Sequence, residues 1–569
     1  MTHVDLSARV ADAVARATDY LYGRQRPDGG WTDRLSSSTI ATALGILALA
    51  RAGRDGYRTQ IDAGLEWLRQ HQRSDGGWSL VDADPPSDES ITAFAVAAFE
   101  VLDPDGSRTF IESGMKFIAA NGGDAVITPD LSGDGPRTWR EIVPIVWAME
   151  RLHDITVQPA QPMEIMLLPR RLRNRASIVL PGVLGLGIGQ SRVVPASRLK
   201  RWAQRLAEPR ALSWLRSVQA PNGGIEECPL MAALVFIGLR TAGEDVGPDI
   251  QRGCVTYLLE TIRPDGSWPI DRDLEIAVTA YAVLALGESV DVAREPRLEA
   301  TRDWLLSTQW TEPFTPLQLP AGGWSWASPS GWPESEDTAV VLTVLADLGL
   351  SADHPAVRSG LRWLLPMQNR DGSWSEWVRN SEMIHDGPCA GVTSHVLMAL
   401  HKYGAANGSN SATERGLRYF KKVQGDDGAI PSLWFRDATH GTSKVLETYA
   451  ELGRLNEPVP TKAKRWLLAS QRPDGAWPTD IVEGPPEGGT AEETGWALYS
   501  LLRAGQPPSD RQVTQAVEWL LDAQNDSGTW RQSGVGLYYD TLYYSNDLIA
   551  HTYTLRALAR WQRCATGAS

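Results

Sequence analysis

The sequence predicts an all-α protein built from repeated helix–turn–helix units. Segments that combine glutamine, glycine and tryptophan recur along the chain, as in "RQRPDGGW" (24–31) and "ASQRPDGAW" (469–477). The stretches between them carry apolar residues at i, i+3, i+4 and i+7, the spacing of an amphipathic helix. No stretch sustains the alternation of apolar and polar residues that a half-buried strand requires. With 23 Trp against 8 Phe, the chain uses tryptophan as a recurring structural residue.

Each repeat is predicted to mark the turn between two helices, because Asp-Gly after a helical pattern indicates a glycine-terminated helix. The glutamine amide is expected to bind backbone groups of a neighbouring unit, and the indole to cover the turn. One copy has a longer insert between "STQW" (307–310) and "GGW" (322–324). The other copies are "RQHQRSDGGW" (69–78), "SVQAPNGGI" (217–225), "ETIRPDGSW" (260–268), "MQNRDGSW" (367–374), "KVQGDDGAI" (422–430) and "DAQNDSGTW" (522–530).

Length and composition limit the possible classes of protein. The 569 residues allow two to four domains, and the helical units must stack, either as an open solenoid or as a closed barrel. A net charge of −14 argues against a nucleic-acid partner. The N-terminal sequence lacks the apolar core of a signal peptide, and no run of 18 apolar residues predicts a membrane span. The cysteines show no C-x-x-C spacing and are predicted to be reduced thiols: Cys228, Cys254, Cys389 and Cys564.

An acidic cluster stands out in "GWPESEDTAVVL" (331–342), where Glu334, Glu336 and Asp337 fall within four positions beside an apolar run. These acids could be solvated at a helix N-terminus, where negative charge is favoured. Alternatively, they are crowded so that one of them keeps its proton. Protonating an alkene to a carbocation requires an unionised acid, and an isolated carboxyl with a pKa of ~4 is ionised at neutral pH.

The repeats and the acidic cluster together resemble the squalene–hopene cyclase family of class II terpene cyclases, over nearly the whole chain. The family's Asp-x-Asp-Asp-Thr-Ala motif maps onto residues 334–339, with glutamate at its first and third positions. "GPCAGVTSHVLMAL" (387–400) resembles the segment whose histidine hydrogen-bonds the catalytic acid, which maps onto His395. An acidic residue that often precedes this histidine by four positions is replaced by Gly391. The aromatic segment at 534–561 resembles the C-terminal part of the family.

The resemblance implies two α/α-barrel domains, of the β and γ types of terpenoid cyclases. We expect the N-terminal helix (1–32) to belong to the catalytic barrel, residues 33–290 to form the inserted γ-type domain, and residues 291–569 to form the catalytic β-type domain. The implied reaction is the protonation-initiated cyclisation of a linear isoprenoid. A squalene-like triterpene, a prenyl diphosphate and a prenylated aromatic compound remain open as substrates.

The resemblance also assigns roles to the acidic cluster. Glu336 occupies the position of the proton donor, Asp337 and Glu334 are expected to set its charge state, and His395 is expected to orient it. The extra methylene of each glutamate displaces its carboxyl by roughly an ångström, a distance that matters in catalysis. Aromatic faces are predicted to stabilise the cation. The candidates are Trp324, Trp326, Trp332, Tyr538, Tyr539, Tyr543 and Tyr544, with repeat packing the alternative role for Trp324.

A basic and apolar segment, "EIMLLPRRLRNRASIVLPGVLGLGIGQ" (164–190), carries Arg170, Arg171, Arg173 and Arg175. It is predicted either to anchor the protein at an anionic membrane surface or to form a buried helix. In a third interpretation, the arginines bind the diphosphate group of a substrate, although no Mg²⁺-binding acidic motif accompanies them. The resemblance further implies a cytoplasmic enzyme at the periphery of the membrane, with no cofactor, and allows a homodimer. No metal site is expected, and Mg²⁺ would enter only with a diphosphate substrate.

Two rival functions remain open at this point. Asp386, Cys389 and His395 are residue types that bind zinc, which would suit the β-type subunit of a protein prenyltransferase on a similar helical barrel. Their spacing does not match that family. The second rival is a non-catalytic, cyclase-like scaffold that has lost the aspartates of its acid motif.

Overall fold

The computed structural model describes residues 3–33, 35–81, 86–128, 141–154, 160–381, 383, 385–404, 411–478, 489–538 and 542–567. These residues are mainly α-helical, which confirms the predicted fold class. Among them, the only strands form two short antiparallel pairs, β1 (Ser37–Ser38) with β2 (Trp268–Pro269) and β3 (Gly536–Tyr538) with β4 (Leu542–Tyr544).

The helices form two groups. After α1 (His3–Gly23), the first group comprises α2 (Thr39–Gly53), α3 (Arg58–Gln70), α4 (Glu89–Leu102), α5 (Arg108–Ala120), α6 (Ile142–Met149), α7 (Arg170–Arg173), α8 (Leu180–Val193), α9 (Arg198–Val218), α10 (Pro229–Ala242) and α11 (Pro248–Thr261). The second group comprises α12 (Glu275–Leu286), α13 (Glu299–Ser307), α14 (Ser335–Asp347), α15 (Pro355–Leu364), α16 (Ala390–Lys402), α17 (Ala412–Val423), α18 (Thr439–Glu451), α19 (Pro458–Ser470), α20 (Ala491–Arg503), α21 (Arg511–Asp522) and α22 (Asp547–Thr566).

The second group closes into a barrel. Its inner helices α12, α14, α16, α18, α20 and α22 pack each against the next, and α22 packs back against α12. The inner helices are buried along most of their length, whereas the outer helices α15, α17 and α21 bury one face only. The N-terminal helix α1 packs against α21 and α22 and completes the outer layer. The chain therefore forms a closed barrel here and not an open solenoid.

The first group packs α2 against α4 and α10, and α10 against α8, with α3, α5 and α11 outside. The predicted boundary at 290 falls after α12, which packs against α14 and α22 of the second barrel. We therefore propose that the inserted domain ends near residue 274, before α12 begins.

The repeats bind neighbouring units together. Gln471 Nε2 donates two hydrogen bonds of 2.8 Å, one to the Gly475 carbonyl in its own turn and one to the Gln512 carbonyl in α21. Seven further glutamines each bridge their own turn and the backbone of another outer segment in this way: Gln25, Gln72, Gln219, Gln309, Gln368, Gln424 and Gln524. The glutamine of the repeat is thus a clamp between adjacent helix pairs, as the sequence predicts.

The indoles of the repeats have a fixed role as well. Trp477 Nε1 donates to the Leu467 carbonyl, ten residues earlier, at 2.8 Å. The same bond at the same spacing is made by Trp31, Trp78, Trp268, Trp374 and Trp530. Glycine is required in these turns, since Gly475 has a φ of 98° and a Cβ there would lie 2.5 Å from the Gln515 carbonyl oxygen.

Residues 170–193 form the only described segment that is long and apolar enough to cross a membrane. Two observations indicate that this segment packs inside the protein. Of its most apolar 18-residue stretch, 67% is buried, and the helix is interrupted at Ser177, with φ 46° and ψ −131°. The apolar half, α8, packs against α10 in the core of the inserted domain. The buried-helix interpretation therefore holds for α8, and the arginines lie outside it.

Candidate functional site

The acidic cluster lies at the start of α14, where a repeat fixes its position. Trp324 of the repeat with the long insert donates its backbone N–H to Thr338 Oγ1 at 2.9 Å. Ser335 Oγ donates to the Ser375 carbonyl at 2.6 Å, and the Glu336 N–H donates to Glu376 Oε2 at 3.1 Å. Structural bonds of the repeats thus hold the first turn of α14 against the turn of the following unit.

Four carboxyl groups meet at this point: Glu334, Glu336, Asp337 and Glu376, the last of which the sequence motif does not contain. Burial, followed by the charges of its acidic neighbours, raises the pKa of Glu334 and that of Glu376 well above the ordinary value. The protonated Glu334 donates a hydrogen bond to Asp337, whose own pKa is raised by burial. The cluster is therefore crowded and desolvated, which excludes the interpretation as solvated acids at a helix end.

Glu336 differs from the other three acids in its surroundings. Its side chain is 13% exposed and lines a cavity. Burial and the neighbouring Asp337 raise the pKa of Glu336 to about 7, against a hydrogen bond from Tyr281 and the charge of Lys444. At neutral pH a substantial fraction of this carboxyl is protonated.

Two side chains contact the Glu336 carboxyl directly. The Tyr281 hydroxyl donates to Oε1 at 2.9 Å. His395 Nε2 lies 3.6 Å from the same oxygen, longer than a hydrogen bond, although the histidine is 2% exposed and faces the acid. Burial, followed by the charges of Lys444 and Arg556, lowers the pKa of His395 well below its ordinary value. The histidine is therefore neutral, and the pair is not a salt bridge.

A buried lysine on α18 lies beyond the acid. Lys444 is 2% exposed, and its Nζ lies 3.5 Å from Glu447 Oε2 and 4.9 Å from the centre of the Tyr553 ring. Burial lowers the pKa of Lys444, while the charges of Glu447 and Glu336 raise it in part. The positive charge of this lysine favours the carboxylate form of Glu336 and disfavours protonation of His395.

The cavity in front of the acids has an empty volume of about 660 Å³, which includes space open to solvent. A chain of rings forms one wall, in which Trp326 meets Trp377 at 5.9 Å, Trp377 meets Trp434 at 5.6 Å, and Trp434 meets Tyr538 at 6.0 Å. Phe435 and Tyr544 also line it. Apart from the carboxyl groups, the cavity is lined by aromatic and aliphatic side chains.

The predicted aromatic residues fall into different places. Trp326, Tyr538 and Tyr544 line the cavity. Trp324 packs in the repeat, with Nε1 bonded to the Leu305 carbonyl at 2.7 Å across the long insert. Trp332 packs 5.2 Å from Phe314 and 6.3 Å from Trp214 of α9, at the junction of the two barrels.

The two other tyrosines predicted for the cavity are Tyr543 and Tyr539. Tyr543 stacks under the Arg436 guanidinium, 3.7 Å from the ring centre, and does not line the cavity as the structure describes it. Tyr539 lies outside the described residues. Tyr538 and Tyr544 lie on the same face of the β3–β4 strand pair, and Tyr543 lies on the opposite face. The sequence alone gives little reason to prefer Tyr538 and Tyr544 over their neighbours.

The predicted basic segment lies beside the cavity. Arg170, Arg171 and Arg175 are exposed, and Arg173 is partly buried. Beyond them, Ile178 lines the cavity. Neighbouring exposed apolar side chains are Leu168, Leu172, Leu199, Trp202 and Leu206, which we call the apolar patch. The 163–167 turn packs against both α7 and α9 and brings the two halves of the patch together.

The candidate zinc ligands serve other purposes. The Asp386 carboxylate accepts the backbone N–H groups of Trp377 and Val378, both at 3.0 Å. Cys389 lies against Ser432, and His395 faces Glu336. In the described part of the chain, no three His, Cys, Asp or Glu side chains converge on a possible metal position.

A second cavity opens at the other ends of the same inner helices. It has an empty volume of about 1300 Å³ and is lined by ion pairs. Arg556 donates to Glu447 at 2.7 Å, and Arg503 donates to Glu451 at 2.6 Å. Burial alone would raise the pKa of Glu447, but Arg556, Lys444 and Arg503 together lower it to about 2.

Sequence reasoning missed Glu376, Tyr281 and Lys444, because each lies on a different helix pair from the acidic motif. One signal could have found Lys444 and Glu447: "HGTSKVLETY" (440–449) places two charges in an inner-helix segment whose residues are otherwise mostly small or apolar. Glu376 follows repeat tryptophan Trp374 by two positions, as Trp326 follows Trp324. A residue at that offset points into the barrel in both units.

Comparison with protein families places most of the chain. Residues 275–563 match the family model described as "Squalene-hopene cyclase C-terminal domain", and residues 14–175 match "Squalene-hopene cyclase N-terminal domain". The squalene–hopene cyclase of Bradyrhizobium diazoefficiens is 26% identical, over 97% of this chain and 94% of that protein. That of Alicyclobacillus acidocaldarius is 27% identical, over 97% and 98%. The dammaradiene synthase of Dryopteris crassirhizoma is 23% identical, over 97% and 93%.

Solved structures share the fold. The ent-copalyl diphosphate synthase from Streptomyces platensis superposes with a TM-score of 0.60 at 21% identity, covering 99% of this chain and 100% of that one. Abietadiene synthase from Abies grandis gives a TM-score of 0.50 at 14% identity, covering 91% of this chain and 58% of that one. At these identities the likeness concerns the α/α-barrel architecture alone.

Proposed function

From the premise that this chain belongs to the squalene–hopene cyclase family, and is a terpene cyclase that starts its reaction by protonation, we propose that Glu336 is the proton donor. The observation that carries the proposal is the position of this carboxyl. It lines an aromatic cavity, and burial and crowding raise its pKa to about 7. An acid with a pKa near the working pH is both protonated and able to give up its proton.

The other acids keep the donor in its protonated form. Glu334, Asp337 and Glu376 surround Glu336, and together these carboxyls resist joint ionisation. Tyr281 fixes the carboxyl through its hydrogen bond to Oε1. His395 is a positioning residue, because its ring packs against the same oxygen and limits the rotamers of the acid.

Proton transfer leaves a carboxylate on Glu336 and a tertiary carbocation in the cavity. Two features stabilise that carboxylate: the N-terminus of α14, with its partial positive charge, and the ammonium group of Lys444. The rings of Trp326, Trp377 and Trp434 present π-faces to the cation without offering a nucleophile, an interaction worth about 2 kcal/mol when desolvated. Different groups of one cavity therefore stabilise the carboxylate and the carbocation.

The substrate is a hydrophobic linear isoprenoid that folds within the cavity. No lysine or arginine lines the described walls, so a diphosphate would have to remain outside, near Arg170 and Arg171. Protonation of an alkene by a carboxylic acid uses no metal or organic cofactor. We therefore place Mg²⁺ only with a diphosphate, outside the cavity, if that substrate is used.

The apolar patch and its arginines are proposed to bind an anionic membrane surface and admit the substrate past Ile178. Leu199, Trp202 and Leu206 lie on one face of α9 at i, i+3 and i+7, and Trp202 is 59% exposed. Tryptophan and leucine beside arginine are typical of peripheral anchors. The proposed membrane-peripheral location rests on this patch, and the cytoplasmic location stays a prediction.

Liposome flotation tests the anchor. Vesicles with anionic lipid should retain the wild type in a salt-dependent way, and Trp202→Ser combined with Leu206→Ser should release it. Arg170→Gln with Arg171→Gln should reduce binding at low salt only. A wild type that remains entirely unbound would refute the anchor. The predicted homodimer and the absence of a nucleic-acid partner stay predictions, which sedimentation and gel-shift measurements test.

The function itself is tested with a panel of linear isoprenoids. Squalene, farnesyl and geranylgeranyl compounds, and a prenylated aromatic compound, are incubated with the purified protein, and mass spectrometry searches for cyclic isomers of equal mass or for their hydrates. At least one substrate should yield such a product with the wild type and none with Glu336→Gln. Products made equally well by Glu336→Gln would show that the proton comes from another group, with Asp337 next in place.

A further inference from the structure

A fifth buried acid lines the cavity beside the four of the acidic cluster. Asp271 lies in the segment between β2 and α12, is 4% exposed, and lines the same cavity as Glu336. The Cys228 thiol hydrogen-bonds its carboxyl group. Its Oδ1 atom, however, is buried without a hydrogen-bonding partner among the described residues. The proposed cyclisation gives this acid no role.

Asp271 is electrostatically separate from the proton donor. Burial, and after it the charge of Glu227, raises the pKa of Asp271 well above its ordinary value. Glu227 is itself held by Arg272, whose Nε donates to it at 2.7 Å, and by the Ser330 N–H at 3.0 Å. Burial therefore favours the neutral carboxylic acid form of Asp271, whose O–H group can donate to a ligand.

Apolar side chains near Asp271 raise the free-energy cost of leaving its carboxyl group without a hydrogen bond. Leu274, Ala277 and Ile549 line the cavity with it, and none of these side chains can form a hydrogen bond. A buried polar atom without a partner costs free energy, and a pure hydrocarbon in the cavity would leave Oδ1 in that state. An apolar residue would serve a hydrocarbon substrate better at this position.

Resting on the proposed function, we propose that Asp271 binds an uncharged oxygen atom of the substrate, so that the enzyme acts on an oxygen-bearing isoprenoid and not on a pure hydrocarbon. A hydroxyl, ether or carbonyl oxygen accepts the proton of the neutral carboxyl group. A hydroxyl can also donate to Oδ1. The absence of lysine and arginine from the described cavity walls fits a neutral oxygen better than a diphosphate. Asp271 thus selects and orients the substrate and takes no part in proton donation.

Selectivity between matched substrates tests the proposal. Farnesol and geranylgeraniol are each compared with the hydrocarbon in which hydrogen replaces the hydroxyl, and squalene is compared with a squalene that carries a terminal hydroxyl. The wild type should prefer the oxygenated member of the accepted pair by at least tenfold in kcat/KM, because rejecting the hydrocarbon follows from the unpaired carboxyl.

Two variants separate hydrogen bonding from shape. Asp271→Leu has the same number of side-chain heavy atoms and the same branching but no polar atom, and it should abolish the preference or reverse it towards the hydrocarbon. Asp271→Asn keeps a neutral donor and acceptor and should preserve the preference. Circular dichroism and thermal melting establish that both variants fold. An equal preference in the wild type and Asp271→Leu, or a wild type that prefers the hydrocarbon, would overturn the proposal.

A binding measurement keeps this inference distinct from the proposed proton donor. Glu336→Gln and the double variant Glu336→Gln with Asp271→Leu are titrated with each pair, using the fluorescence of the cavity tryptophans. A preference for the alcohol in the single variant, lost in the double variant, supports Asp271 even if no substrate is cyclised. Equal affinity for alcohol and hydrocarbon in the single variant counts against Asp271 even if cyclisation is found.

Discussion

The two cavities of the catalytic barrel shift the pKa values of their buried carboxyl groups in opposite directions. At the N-terminal ends of the inner helices, Glu334, Glu336 and Glu376 are buried together, and their pKa values rise. At the C-terminal ends, Glu447 is equally buried, but three cations surround it and its pKa falls to about 2. Burial is common to both sites, so the placement of arginine and lysine decides which carboxyls keep a proton.

Lys444 lies between the two sites and belongs to both. Its ammonium group pairs with Glu447 on one side and acts on Glu336 on the other. One cation therefore links a buried ion pair to the acid that we propose as the proton donor. The comparison gives expectations for four residues, which follow from the largest effect to the smallest.

Removing the acidic proton should have the largest effect. Glu336→Gln keeps the size and polarity of the side chain but cannot donate a proton to an alkene, so turnover should fall at least 10³-fold, about 4 kcal/mol. Substrate binding and the melting temperature should stay close to those of the wild type. The measurement is product formation by mass spectrometry beside thermal unfolding.

Glu336→Asp is the matched variant for the length of the side chain. The Tyr281 hydroxyl binds the carboxyl at the reach of a glutamate side chain, so the shorter acid should turn over more slowly than the wild type although it restores the residue of the family motif. An aspartate variant as fast as the wild type would mean that the carboxyl position is tolerant.

The ion pair at the other end should affect stability more than chemistry. Glu447→Gln leaves Arg556 and Lys444 buried without a counter-charge, and the free energy of unfolding should decrease by roughly 3–5 kcal/mol. Glu414→Gln, at a more exposed pair with Arg454, is the control and should cost less than ~1 kcal/mol. A Glu447→Gln protein as stable as this control would refute the importance of the buried pair.

The same pair gives a pH dependence of stability. The folded pKa of Glu447, about 2, lies below the unfolded value of ~4.3, so the stabilisation is complete above pH ~4.3 and is lost as the pH falls towards 2. Thermal unfolding of the wild type between pH 5 and pH 2 should show this loss, and Glu447→Gln should show a smaller one.

Neutralising Lys444 tests the link between the two sites. Lys444→Met removes the charge that lowers the pKa of Glu336, so this pKa should rise above 7 and the alkaline limit of activity should move to higher pH. The carboxylate left after proton donation is then less stable, and the maximal rate should fall roughly tenfold. Ser443→Ala, a neutral change on the same helix, is the control. A lower rate with an unchanged pH profile would indicate a structural role.

His395→Ala is expected to have the smallest effect, a decrease in kcat of roughly ten-fold or less. The ring is neutral and makes no hydrogen bond to Glu336, so its removal loosens the rotamer of the acid without changing its charge. Tyr281→Phe, which removes the one direct hydrogen bond to Oε1, should cost more. The reverse order would make the histidine the principal contact of the acid during the reaction.

The fold could be predicted further than the site. The Gln and Trp of each repeat form hydrogen bonds with residues close to them in the chain. Trp477 bonds a carbonyl ten residues earlier, and Gln471 bonds a carbonyl of its own turn. Because these contacts are local, the sequence alone indicates them. The barrel's closure, by contrast, depends on α22 meeting α12, a contact between helices more than 250 residues apart. Periodicity within each helix cannot specify that pairing, and only the family resemblance indicated it.

The same distinction applies within the site. Glu336 and Asp337 are contiguous with Glu334 and could be found from the motif. Glu376 and Asp271 reach the cavity from segments that directly follow repeats but carry no acidic motif, because the functions proposed for them arise from burial and not from a signature of acidic residues. The family resemblance identified His395, but its neutral state depends on burial and, after it, on the charge of Lys444, and both arise only when α16 and α18 are packed together.

The helix that completes the catalytic barrel imposes an order on protein synthesis. Gln524 donates to the Ala13 carbonyl across 511 residues of chain, so α1 meets its partners only after nearly everything else has been translated. At about 5–20 residues per second, α1 waits roughly half a minute to two minutes beyond the ribosome with its apolar face unpaired. The inserted domain can form meanwhile, but the catalytic barrel cannot close. Retention of the nascent chain by a chaperone would therefore be needed most before α21 and α22 emerge.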